Sequence, residues 1–129
     1  MTPIRKYFLT LLLTAMVVVV KAQSSRDIVG HWKDNEENNR LTEFYQGDDG
    51  LYYAKIIEDK ENKDINGKIF MKKLKYDDQS KTYKGVASPP DVDVNIEINA
   101  TVSWIDKDTL LIVVKNFFKT KEVRFLRIK

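Results

Sequence analysis

The sequence predicts an all-β fold, a small antiparallel up-and-down barrel of about eight strands, and three observations carry the prediction. Residues 91–104 alternate without a fault. Val92, Val94, Ile96, Ile98, Ala100, Val102 and Trp104 are apolar, and Asp91, Asp93, Asn95, Glu97, Asn99, Thr101 and Ser103 between them are polar. Period two is the signature of a strand with one buried face. Shorter β-rich segments recur along the chain, separated by turn sequences such as Gly47-Asp48-Asp49-Gly50. No window beyond residue 22 sustains a helical period, apart from a short helix candidate at 24–28.

Taken in order, the chain opens on an export signal. Arg5 and Lys6 precede an apolar run from Tyr7 to Val20, and Val20 and Ala22 stand where cleavage after Ala22 needs small residues. A helix over that run reaches about 21 Å, short of the roughly 30 Å of a bilayer core, so it reads as a cleaved signal (residues 1–22) and leaves no stable membrane anchor. With no cysteine in the chain, a lipidated anchor and disulfides are both excluded. Of 129 residues, 107 remain in a single domain, 23–129, enough to bury a core by packing alone.

Strands are expected at 28–33, 41–46, 51–58, 68–74, 82–87, 110–115 and 122–128, besides the long alternating run. Asp77-Asp78-Gln79-Ser80 and Asp106-Lys107-Asp108 mark tight turns, and 35–39 and 59–66 read as longer loops. The long run would span roughly 43 Å at about 3.3 Å per residue, too far for one straight strand, so it must bend or break around Asn99. Such a meander either pairs as a sandwich or closes. Closure is preferred because it leaves no exposed edge.

Charge narrows the function. The whole chain carries +3, but removing Arg5, Lys6 and Lys21 from its 22 basic residues leaves 19, which 19 acidic residues balance. A neutral domain lacks the net attraction that nucleic acids require, and the lysines at 68, 72, 73 and 75 read as the solvated side of a strand.

Gly30-His31-Trp32 looks like the G-x-W that opens lipocalin-like barrels, with Arg124 and Arg127 supplied by the final strand. In those barrels the tryptophan packs at the closed end and an arginine lies over it, so the resemblance implies structural roles for Gly30, Trp32 and Arg127. More widely, the chain resembles an exported bacterial family known as domain of unknown function 2147. The resemblance rests on Asp27-Ile28-Val29-Gly30-His31-Trp32, on the segment from Gly67 to Lys75, on Tyr83-Lys84-Gly85 with Pro90 soon after, and on the closing Phe125-Leu126-Arg127. Phe125 stands where the family has tryptophan, and Asp93-Val94-Asn95-Ile96 where it has glycine and tyrosine. The resemblance implies a small exported lipocalin-like barrel and no particular activity.

Catalysis is poorly supplied. There is no thiol, no G-x-S-x-G, and one histidine, which strand alternation turns outward if Trp32 turns in. Asp91, Asp93, Asn95 and Glu97 share a strand face, but same-face residues about 6.6 Å apart without the loop's glycine do not make a calcium site. No cofactor or metal is expected. Two readings stay open. In one, the barrel carries a lipid or other small apolar or amphipathic ligand. Phe44, Tyr53 and Trp104 are then its walls, Arg124 or Arg127 anchors a head group, and the cavity is apolar and at least about 300 Å³. In the other, the barrel is filled by its own side chains and is an envelope interaction module whose loops at 35–39 or 59–66 bind a protein or the cell wall.

Overall fold

Eight antiparallel strands follow one another around a closed barrel, each paired with its sequence neighbours and the last with the first. They are β1 (Gly30–Asp34), β2 (Leu41–Gln46), β3 (Tyr52–Glu58), β4 (Ile69–Asp77), β5 (Thr82–Ala87), β6 (Ile98–Asp106), β7 (Thr109–Lys115) and β8 (Thr120–Arg127). The structure, a computed structural model, describes residues 27–36, 40–92, 96–116 and 118–129. The expected signal at 1–22 and residues 23–26 lie outside these, as do Asp93, Val94 and Asn95 of the alternating run. Helix among the described residues is limited to one 3-10 turn, Lys63–Ile65; Asp27 and Ile28, from the expected short helix, are not helical.

The expected turns form, and side-chain carboxylates and amides close them. Asp49, Asp77 and Asp106 each accept the backbone N–H two residues on, and Asn116 accepts those of Phe118 and Lys119. These are the local bonds that make Asp and Asn turn residues. Alternate residues then enter one core: Trp32, Phe44, Ala54, Met71, Leu74, Tyr83, Ala100, Val102, Leu110, Ile112 and Phe125 are all buried in a single cluster.

The long alternating run is corrected. Its strand starts at Ile98 rather than Asp91, and the break comes before Asn99. Ladder availability is the reason. Ile98 pairs with Ala87, the last residue of β5, and Asn99 with Lys115, the last of β7, so the ladders end there and Ile96 and Glu97, the described residues just before, lie outside the strand. Asp91 instead sits in a turn, paired with Arg40 at 3.3 Å, and Val92 and Ile96 are exposed rather than in the core. Alternation describes only the half that has partners.

β4 departs from regular geometry. Its register slips against β3 near Met71 and against β5 between Lys72 and Lys75, and Lys73 takes a left-handed φ of 56°, the mark of a bulge. Gly85 on β5 faces it. A Cβ there would lie 2.6 Å from the Lys72 carbonyl oxygen and 2.9 Å from that of Lys73, so glycine is what lets the bulged strand pass. The barrel closes along a short seam in which Trp32, Lys33 and Asp34 pair with Arg127, Leu126 and Phe125.

Candidate functional site

Trp32 plugs the end of the barrel at which β1 begins. Its ring is fully buried and its indole N–H donates to the Ile28 carbonyl at 2.9 Å, satisfying the one polar atom of a large apolar side chain. Arg127 lies across it, the guanidinium carbon 4.4 Å from the Trp32 ring centre and 5.7 Å from that of Trp104. The two indoles meet edge on at 5.9 Å. Gly30 takes a φ of 144°, which residues with a side chain rarely adopt; a Cβ there would make only an ordinary contact, 3.6 Å from an Arg127 nitrogen. Arg127 also donates to the Asp27 carbonyl at 3.2 Å. On the opposite strand face, His31 points outward beside Glu43 at 3.3 Å.

The expected ligand-facing residues do not converge. Phe44 is sealed in the core between Trp32 and Phe125, so it lines no open space. Tyr53 lies on the outer face, stacked on Tyr45 and donating its hydroxyl to Asp49. That hydrogen bond holds the Asp49 carboxyl below its usual value and raises the Tyr53 phenol above its own. Tyr52 takes the inward position instead, against Tyr83. Strand parity decides this: Ala54 and Ile56 are buried, and Tyr52 shares their face. Arg124 is exposed on the outside of β8, because Phe125 and Arg127 hold the inward parity. Of the anchors, only Arg127 reaches the plugged end, where it is engaged with the indoles.

Trp104 is the candidate that meets a concave surface. Beside it, between the β4–β5 and β6–β7 turns, lies a half-open cleft of about 950 Å³. Tyr76, Tyr83 and Trp104 supply aromatic surface, Ser103 a hydroxyl, and Lys81 and Lys107 cations at the rim. Tyr76 and Tyr83 pair directly across β4 and β5 with ring centres 5.1 Å apart. Burial, with Tyr52, Asp27 and Tyr76 adding, pushes the Tyr83 phenol up to about 12, so it stays neutral and able to donate. At the rim, Asp106 is kept ionised below the usual carboxylate range, first by the Asp108 backbone N–H and then by Thr109. Such a lining can cover a flat apolar ring and hydrogen-bond its polar substituents. The bulge at Lys73 resets the parity of β4, and that is why sequence alternation does not assign Tyr76 to this face.

At the opposite end an ion pair closes over the core. Arg40 donates to the Asp59 carboxylate at 2.9 Å, with both side chains almost wholly covered. Asp59 also accepts the N–H groups of Glu61 and Asn62. Its carboxyl is held below the usual value by the Asn62 N–H first and Arg40 second. Ile65 is buried from the same loop, whose Gly67 N–H donates to the Ile56 carbonyl at 2.7 Å. Thus the 59–66 loop is folded onto the barrel. Nothing in the spacing of Arg40 and Asp59 marks this pair in the sequence. Phe70, Ile98, Val114 and Val123 pack on the core here and remain partly open.

Comparison with models of known families, with curated proteins and with solved structures found no match to this chain.

Proposed function

We propose that the protein is an exported, non-catalytic binder of a small amphipathic molecule, held in the cleft beside Trp104 rather than inside the barrel. The carrying observation is the cleft: about 950 Å³, in the range of small-molecule sites of about 300–1,000 Å³, with three aromatic side chains and a polar, charged rim. The enclosed core leaves the barrel axis to Trp32, Phe44 and Phe125, so the ligand belongs at the end. Export rests on the signal-like pattern of residues 5–22, and the destination is the periplasm or the medium. The Trp32–Arg127 stack and the closed eight-strand order support kinship with the lipocalin-like domain of unknown function 2147. The packed core also favours a second reading, an envelope interaction module acting through its loops.

The test is native mass spectrometry of the protein purified from its own envelope, with Tyr76→Ala as comparison. Tyr76 is 39% exposed, so its truncation spares the core. A stoichiometric small molecule retained by the parent and lost from the variant is the expected result. A folded parent that carries none, or a molecule held equally by both, turns the reading toward protein partners.

A further inference from the structure

The tip of the β7–β8 hairpin is built unlike the rest of the surface. Phe118 is 94% exposed, the most open of the large apolar side chains described. It stands in a turn fixed by Asn116, whose side-chain oxygen accepts the Phe118 and Lys119 N–H groups at 2.9 and 2.7 Å. The segment from Lys115 to Lys121 holds three lysines and no carboxylate, in a domain expected to be neutral. All three are exposed, and among the described residues neither Lys115 nor Lys119 forms an ion pair. Ile96, nearly half exposed, and exposed Glu97 lie just before β6 at the same end of the barrel, where Asn99 pairs with Lys115.

We propose that this hairpin is a docking finger for an anionic lipid surface: Phe118 enters the boundary between head groups and acyl chains while Lys115 and Lys119 meet the phosphates. Charge decides the occupant. An exposed ring flanked by Lys115 and Lys119, with Glu122 the nearest carboxylate along the hairpin, matches an anionic bilayer interface. One projecting ring, by contrast, offers far less than the roughly 1,000 Å² of buried surface that a stable protein interface needs. The finger lies at the opposite end of the barrel from Trp104, so a docked molecule turns the aromatic cleft toward water. The proposal stands independently of what that cleft binds.

The experiment replaces Phe118 by tryptophan and follows its emission against vesicles of brominated phosphatidylglycerol, with brominated phosphatidylcholine as the neutral surface. Trp32 and Trp104 lie at the far end and set the baseline measured on the parent, so the readout is local to the hairpin. The added emission is expected to shift blue and to be quenched by the anionic vesicles, and to recover as salt is raised. Lys119→Gln should weaken partition about fivefold, and Phe118→Ser about tenfold or more. Emission from the introduced indole that the anionic vesicles leave unmoved, or that neutral vesicles quench equally, overturns the proposal. Adhesion of the protein to vesicles without quenching at this position assigns binding to another surface and overturns it too.

Discussion

Replacing Gly85 by alanine tests whether the bulge in β4 is a fixed part of the barrel. The added Cβ would meet the Lys72 oxygen at 2.6 Å, the Lys73 oxygen at 2.9 Å and the Leu74 Cα at 3.0 Å, all main-chain atoms. Comfortable carbon contacts are about 3.5 Å, so the strand must move by roughly half an ångström or more. It has little freedom to do so, because Tyr52 pairs with Leu74 on one side and Val86 with Lys72 on the other. Overpacking of this kind costs about 1–3 kcal/mol. The stiffer unfolded chain returns about 0.4–1 kcal/mol. A net loss of about 1–2 kcal/mol lowers Tm by about 4–16 °C in a domain of this size. Thermal unfolding followed by circular dichroism, with calorimetry as a second probe, measures it. Adding Lys73→Gly frees the left-handed residue and should recover part of the loss, a coupling of about 0.5 kcal/mol or more. An alanine variant that melts at or above the parent refutes the argument, since the bulge would then yield at no cost.

Arg127→Met keeps the chain length but removes the cation from two indoles. Stability should fall by about 0.5–2 kcal/mol and tryptophan emission should shift red, and unchanged melting would mean the stack contributes nothing. Acid titration should expose the four turn and loop carboxylates. Asp49, Asp59, Asp77 and Asp106 are all lowered in the fold from 3.8, so their contribution is complete above that pH and fades as pH falls through their lower folded values. Asp59→Asn should shrink this acid limb in pH-resolved denaturant melts. At the alkaline end Tyr83 is raised from 10.0 to about 12. Its contribution is therefore intact below pH 10 and declines from there to about pH 12, and Tyr83→Phe should abolish the corresponding late step in tyrosinate absorbance.

Much of the barrel was legible because its cues are local. Alternation places Ala100 and Val102, Asp and Asn close their own turns, and the Gly30-x-Trp32 spacing finds its arginine because both face the same end. What failed to read depends on partners distant in sequence. The alternation that includes Val92 and Ile96 reads as strand, but the ladders end at Ala87 of β5 and Lys115 of β7, and both side chains are exposed. The slip at Lys73 inverts the parity that would have assigned Tyr76. Tyr53 belongs to a segment, 51–58, whose alternation is broken by Tyr52 and Tyr53 standing together, and the choice of which turns inward is made by the β2–β3 register of Tyr45 against Tyr53. Arg40 and Asp59 are ordinary surface residues by type, covered only because the 59–66 loop folds back with Ile65. The cleft joins two hairpin turns that are each readable alone. Their adjacency is a property of closure.

The seam between β1 and β8 also sets an order of events. Trp32 pairs with Arg127, 95 positions further along the sequence, so a growing chain holds its plug without its lid until β8 has left the ribosome. Earlier hairpins can pair locally, but every shorter chain presents two raw sheet edges and lacks the closing contacts, whose loop entropy is settled last. The domain therefore lacks its closing seam through most of its synthesis, and becomes a barrel only when β1 and β8 are both present to pair.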